Sequence, residues 1–334
     1  MNLKIHLKIQ MKKRKLQNKE ITNPNSKCPL CKNQGNIDFI GQDFMFDRTK
    51  YYKYLKCDLC SISYQAPIPN LKQIKSYYPD SYENFEDPKK PKFSLAEKVR
   101  LSFHHNYSGL IKNTYVNKIF SLLIPKDKSL IDYVQNGKFL DIGCGNGSRL
   151  LKMKKLGWHV FGVELNTFAY QKCIKNDLNV QNKPLEQAVF KKNYFDVIYM
   201  SHLIEHLNNP DEIINICSNL LKKGGKLYIN TPNNNALGKK IFNKYWFANE
   251  VPRHIILYSK KGIEKLIRNH KFQIIYSSQN TTPKIFLNSL DYLFNLKKPS
   301  KRNKLLRFFS KLYIYPAKFL RMGDESFYIL QKIN

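Results

Sequence analysis

Long apolar runs are missing from this 334-residue chain: no stretch reaches the about 18 consecutive apolar residues that a membrane-spanning helix needs. Acidic residues are few, 25 against 57 Lys and Arg, which leaves a formal net charge of +32. Arginine is scarce too. Only nine of the 57 basic residues are Arg, the better bidentate reader of phosphates and bases, so the charge argues less for a nucleic-acid surface than its size suggests. The opening "MNLKIHLKIQMKKRKLQNKE" is basic but has no continuous apolar core, which excludes a secretory signal; a cytoplasmic protein is the expectation, with Met11 an alternative start. Seven cysteines, four of them in two C-x-x-C pairs, fit a reducing compartment and a metal site better than a disulfide framework.

What is present divides into segments. Residues 1–24 read as a solvated basic tail, 25–66 as a small cysteine-bearing β module, and 67–136 as a connector followed by amphipathic helices. From 137 to 334, short apolar strands alternate with helices: "KFLDI", "HVFGVEL", "FDVIYMS", "KLYINTP", "KFQIIYSS" and a final "ESFYILQKI". Repeated β-α units predict an α/β fold, a mostly parallel sheet with helices on both faces. The helix "NPDEIINICSNLLKKGG" is expected to start under an Asn209 cap with Pro210 at its first position, and to end at Gly224-Gly225.

One stretch carries two incompatible readings. In "SHLIEH" (201–206), His202 and His206 stand four apart with Glu205 between them, the H-x-x-E-H pattern of inverted-zincin proteases. The same letters can follow a buried strand in an enzyme that hydrolyses nothing. The deciding context lies upstream, where the strand "FLDI" runs into "GCGNG" and then a helix. Glycines at 143, 145 and 147 allow close backbone approach to a ligand, and Glu164 ends the next strand, where an acid can bond ribose hydroxyls.

With "LDIGCGNG" the chain resembles the class I S-adenosylmethionine-dependent methyltransferases. The resemblance covers roughly 135–280 plus the last strand. It implies a seven-stranded Rossmann-like sheet with "ESFYILQKI" antiparallel beside "KFQIIYSS". It also implies that Asp141, Gly143 and Gly145 border the cofactor's methionine portion and that Glu164 holds the ribose, with Cys144, Gly147, Leu165 and Ser201 along the same contour. Glu186 would lie near the adenine, although the family's acid there usually comes one or two places earlier, where this chain has Pro184-Leu185.

"SHLIEH" then falls at the carboxyl end of the fourth strand, where open α/β sheets bind ligands. Nothing downstream supplies a protease's further metal ligand. Some O-methyltransferases carry E-x-x-E-H at this point and gather a divalent ion there; here His202 replaces the first Glu, while Glu205 and His206 match. Three roles stay open. His202 can act as general base, or His202, Glu205, His206 and the later His254 can hold a divalent metal near His206, or the histidines can simply order the loop.

"CPLC" (28–31) and "CDLC" (57–60) are separated by 25 residues rich in aromatic and β-forming types. Two such knuckles on neighbouring hairpins bring Cys28, Cys31, Cys57 and Cys60 into tetrahedral reach of one Zn²⁺, a zinc ribbon, most simply a structural staple. The order of ribbon, "LDIGCGNG", "HLIEHL", "YWFANEVPRHIILYS" and "GDESFYILQK" resembles a bacterial family of zinc-ribbon class I methyltransferases found among glycan and surface-polysaccharide genes. That resemblance implies a sugar, glycan or lipid-linked small-molecule acceptor. Tyr245, Trp246 and Arg253, with His254, match its acceptor-side stretch. The runner-up is an RNA methyltransferase gripping RNA with ribbon and lysines, and a third reading is a non-catalytic cofactor-binding scaffold. In the 281–323 insertion, basic residues interleave with Leu, Phe and Tyr, which suits a lid, a dimer contact, or a helix (301–322) lying on an anionic membrane, with Pro316 expected to kink or end it.

Overall fold

The computed structural model describes residues 27–78, 86–88, 90–111, 114–296 and 304–333. The basic tail (1–24) and part of the connector lie outside the described residues. The chain builds two sheets.

The larger sheet contains β4 (Lys138–Ile142), β5 (His159–Val163), β6 (Asn179–Gln181), β7 (Phe195–Ser201), β8 (Leu221–Pro232), β10 (Phe272–Asn280) and β11 (Glu325–Lys332), ordered β10-β11-β8-β7-β4-β5-β6. Pairing is parallel from β8 through β6, while β11 runs antiparallel between β8 and β10. The expected seven-stranded fold and its antiparallel last strand are both present. Alternate residues serve opposite faces: Leu140, Ile142, Ile198 and Met200 pack with Ile213, Ile214 and Cys217, whereas Phe139, Val197 and Tyr228 pack with Trp158 and Phe327. A sheet buried on both faces explains why these strands read as continuous apolar runs.

Helices α4 (Ser148–Lys155), α5 (Thr167–Ile174), α6 (Pro210–Leu220) and α8 (Lys260–Ile267) connect the strands. Two boundary expectations change. Helix α6 stops at Leu220, because Leu221 already pairs with Phe195 in the sheet. Asn209 sits at the cap position but makes no cap bond; its amide donates to Glu212 at 2.9 Å instead. Ahead of the sheet lie α1 (Leu71–Ser76), opened by an Asn70–Gln73 capping box within the connector, and helices α2 (Leu95–His104) and α3 (Thr114–Leu123).

The smaller sheet holds β1 (Asn36–Gln42), β2 (Tyr51–Cys57) and β3 (Ile62–Gln65), all antiparallel. Its fourth strand, β9 (Ile256–Leu257), comes from nearly 200 positions later in the chain and pairs with β3 through Ser63↔Leu257 and Tyr64↔Ile256. The cysteine module therefore does not end at residue 66. It shares a sheet with the segment that follows His254.

The insertion supplies α9 (Pro283–Leu293) and α10 (Lys304–Phe319), and α9 packs on the earlier α7 (Leu237–Phe242), where Ile285 joins Phe242 in one apolar cluster. Pro316 neither ends nor interrupts α10; it lies on the exposed side of the last turn, where water can take the bond that its missing N–H leaves open. The buried Asp324 carboxylate fastens this layer: it accepts from Trp246 Nε1 at 2.8 Å, Tyr313 OH at 2.9 Å and Thr281 Oγ1.

Candidate active site and zinc centre

The turn after β4 is shaped by glycine. Gly143, Gly145 and Gly147 all take positive φ (69°, 55° and 80°), and a Cβ on Gly147 would meet Leu178 at 2.5 Å. The turn wraps around Glu164 at the end of β5, whose carboxylate accepts the Gly145 amide and the Asn166 amide at 2.8 Å each. Asp141, at the end of β4, is buried; burial pushes its carboxyl up to about 7, against the pull of the Arg149 guanidinium 3.6 Å away and with a further push from Glu164. Arg149 also lies 3.6 Å above the Tyr199 ring. Two carboxylates on adjacent strand ends, with a glycine-rich turn between them, fit an ammonium-bearing methionyl group and a ribose diol.

Other expected cofactor residues are placed unevenly. Ser201 ends β7 half-buried. Leu165 is exposed after β5, and Glu186 is exposed on a single 3-10 turn. The Cys144 side chain points beneath the turn into the core, its sulfur 2.9 Å from where a Gly162 Cβ would stand, so only its backbone borders the turn. Asn182 was not foreseen: directly after β6, its amide donates to the Glu164 and Leu165 carbonyls at 2.7 and 3.1 Å.

Beyond β7, the "SHLIEH" residues converge as expected but not as one set of four. His202 adopts φ 50°, its N–H donates to the Asn230 carbonyl at 2.8 Å, and its side chain is 44% exposed. Its Nδ1 lies 3.4 Å from Glu205 Oε1, while its Nε2 faces the Asn230 amide at 3.1 Å and Glu325 at 3.6 Å. Partial burial works against its charge, but the nearby Glu205 carboxylate and the other carboxylates around it hold the imidazole above its usual range. Glu205 is fully buried; burial opposes its charge, yet His202 and the two other histidines keep it down at about 2. Thr231 donates to its Oε2 at 2.9 Å.

On the other side of Glu205 lie His206 and His254, with ring centroids 4.7 Å apart. His254 Nδ1 faces the Ala248 carbonyl at 2.8 Å, which leaves Nε2 toward Glu250 at 3.6 Å and Glu205 Oε1 at 3.9 Å. Burial, with His254 adding to it, lowers His206 to about 4 and keeps the ring neutral. Glu205, His206 and His254 offer ligand atoms within 4.8 Å of one another, and among the described residues Glu205 Oε1 has no hydrogen-bond donor. This donor set fits a divalent cation, which would polarise an acceptor oxygen. His202 stands outside it, so the expected four-ligand set is reduced to three.

Two acceptor candidates are corrected. Trp246 is fully buried and bonded to Asp324, and Arg253 is fully buried against Asp43 and Glu250; both serve the interior. Tyr245 is half-buried, its ring 5.5 Å from Phe44 of the cysteine module. Glu250, Asn230 and Glu325 were missed, since each becomes relevant only once the sheet brings its strand end or loop beside His202 or His254.

In the smaller module, the sulfurs of Cys28, Cys31, Cys57 and Cys60 lie within 4.8 Å of one another, and none is in a disulfide. Cys31 and Cys57 sulfurs are 3.5 Å apart, close to the about 3.8 Å edge of a ZnS₄ tetrahedron with Zn–S bonds of about 2.3 Å. The four residues fit one structural Zn²⁺.

The family described as "Methyltransferase domain" matches residues 103–277, more than half of the chain. The chain belongs to this family. Among curated relatives, this methyltransferase is 35% identical over 134 residues to a ubiquinone biosynthesis O-methyltransferase of Glaesserella parasuis, covering 36% of the chain and 57% of the relative. It is 29% identical to a protein of the same name from Pelagibacter ubique, covering 52% of the chain and 75% of the relative. The chain thus spans little more than half the length of the first of these. A solved SAM-dependent methyltransferase from Archaeoglobus fulgidus aligns over 59% of this chain and 86% of its own, at 20% identity and a TM-score of 0.42. The methyltransferase's cofactor is S-adenosylmethionine, and the turn at 141–147 with Glu164 fits it.

Proposed function

We propose that the protein transfers a methyl group from S-adenosylmethionine to a hydroxyl of a sugar, glycan or lipid-linked small molecule. The observation that carries this reading is the His202–Glu205 pair at the carboxyl end of β7, beside the glycine turn. A buried, ionised carboxylate 3.4 Å from Nδ1 favours the proton on that nitrogen, which leaves Nε2 as the lone pair on a half-exposed ring. The bound cofactor supplies an activated methyl group, so the chain's residues need only align the acceptor and take its proton. Nε2 takes that proton as the oxygen attacks, and Glu205 with Glu325 stabilises the imidazolium. The relatives named as O-methyltransferases support oxygen as the acceptor atom, although their names concern ubiquinone biosynthesis rather than glycans. A sugar or lipid-linked acceptor rests on the sequence resemblance of the ribbon and the 245–254 stretch to methyltransferases found among glycan and surface-polysaccharide genes.

Incubation of the purified protein with methyl-labelled S-adenosylmethionine and host extract, followed by fractionation, tests the reading. Label in lipid or polysaccharide is the expected result. Label in RNA overturns the acceptor class, and no label despite measured cofactor binding overturns the enzymatic reading.

A further inference from the structure

From its buried inner side to its outer side, α10 changes character completely. Ser310, Tyr313 and Ala317 are buried, with Tyr313 bonded to Asp324 and stacked on Phe286 of α9 at 4.9 Å. Phe308, Leu312, Tyr315 and Phe319 follow the spacing i, i+4, i+7, i+11, which puts them in one line on the opposite side. That line faces solvent: these residues are 56%, 44%, 72% and 88% exposed. Isolated exposed apolar residues need no explanation, but four large ones in a row along one helix mark a contact surface.

Charge decides what the contact is with. Arg307, Lys311 and Lys318 are exposed and repeat at i, i+4, i+11, forming a basic flank beside the apolar line. Between Asp291 and Asp324 the sequence contains nine Lys and Arg and no acidic residue. We infer that the outer face of α10 docks on an anionic phospholipid bilayer, with the Phe308–Leu312–Tyr315–Phe319 line at the acyl boundary and the basic flank among the headgroups. A second copy of this chain is a poor occupant, because apposing two such faces brings basic flank to basic flank with no acid in the segment to answer it. Spanning is not at issue: among the described residues no helix is long and apolar enough to cross a membrane.

Docking here has a consequence for the site. Asp324 joins Tyr313 of α10 to Trp246, seven residues before Arg253 and eight before His254. The helix is therefore bolted to the segment that carries one wall of the site, and binding lipid holds that wall at the bilayer. The link to a lipid-borne acceptor rests on the methyl-transfer reading; the docking itself does not.

Flotation of the full chain with vesicles tests it, comparing phosphatidylcholine alone with phosphatidylcholine containing phosphatidylglycerol, without cofactor. Binding to the anionic vesicles only, weakening as salt rises, is expected. Phe308→Ser combined with Leu312→Ser and Phe319→Ser, and separately Lys311→Glu with Lys318→Glu, should each lower partitioning by about tenfold or more. Thermal melts and S-adenosylmethionine affinity should stay unchanged, so a docking failure and a failure of the catalytic reading are read separately. Absence of binding to anionic vesicles overturns the inference, as does equal binding by wild type and both variants. So does tight polyuridylate binding that the variants lose while vesicles are ignored, or a dimer that the apolar variant dissolves.

Discussion

Arg253 and Asp43 form a buried bidentate ion pair between the segment that leads into β9 and the turn after β1, Nη1 to Oδ2 at 2.8 Å and Nη2 to Oδ1 at 3.2 Å. Arg253 Nε also reaches Glu250 at 3.1 Å. Around this pair the ribbon becomes a wall of the site. Tyr54 OH of β2 donates to the His254 carbonyl at 2.7 Å, and Ile255 accepts from the Gln65 amide at 2.8 Å while its own amide donates to the Glu205 carbonyl at 2.7 Å. A short run of backbone bonds thus leads from the ribbon's third strand to the backbone of Glu205. Lys239 adds a second seam contact, its ammonium 2.8 Å from Asp38 of β1.

Removing one partner of the pair leaves the other charged and buried. Arg253→Ala and Asp43→Ala are each expected to cost about 3–5 kcal/mol, and replacing both by apolar residues of similar volume is expected to recover much of that loss. Urea unfolding of the two single variants and the double variant measures this. Single-variant losses below about 1 kcal/mol, the range of an exposed pair, would show that the seam is not held by this contact.

If the ribbon positions the 253–257 segment, zinc matters beyond its own module. The protein should contain one zinc per chain. Chelation, or Cys57→Ser, should lower the melting temperature and abolish methyl transfer while S-adenosylmethionine still binds at the glycine turn in the other sheet. Metal analysis, thermal melts and calorimetric titration check the three parts. Full transfer activity in a zinc-free protein would contradict the coupling.

Asp141 gives the pH prediction. Burial raises its carboxyl from an ordinary value near 4 to about 7 in the folded chain. The folded state then binds a proton that the unfolded state has released, so stability is lost as pH rises from about 4 to about 7. Asp141→Asn, which removes the titration, should melt at a temperature close to wild type near pH 4 and increasingly above it toward pH 8. The same variant should bind S-adenosylmethionine more weakly, since the carboxylate borders the methionyl group. A melting difference that does not change with pH would show that Asp141 is not titrating in this window.

Asp324 holds the insertion through three donors. Asp324→Ala leaves Trp246 Nε1 and Tyr313 OH buried without an acceptor, at an expected cost of about 2–5 kcal/mol for the two groups and the lost packing. Hydrogen exchange should then speed up selectively in α9 and α10. Uniform protection across the chain would mean the layer is held by its apolar contacts alone.

Much of this architecture could be read from local signals. "LDIGCGNG" demands positive-φ glycines, and the apolar runs of β4, β7 and β8 announce strands buried on both faces. The C-x-x-C pairs announce a tetrahedral site whatever the intervening length. What stayed hidden lies between segments far apart in the chain. Nothing local tells that Ile256–Leu257 will pair with β3, or that Asp43 will find Arg253 across 210 positions. Trp246 and Arg253 belong to types that suit a binding surface as well as an interior, and only the fold around Asp324 and Asp43 assigns them to the interior. Glu325 and Asn230 meet His202 because β11 inserts between β10 and β8, bringing together strand ends that are distant in sequence.

In the proposed reaction His202, oriented by Glu205, takes the acceptor's proton. The most direct measurement compares wild type and His202→Ala for label transfer into the fraction that wild type methylates, at saturating S-adenosylmethionine, with cofactor affinity measured beside it. A fall in transfer of about 10²–10⁴-fold with cofactor affinity unchanged is expected. Transfer by His202→Ala at the wild-type rate would contradict it.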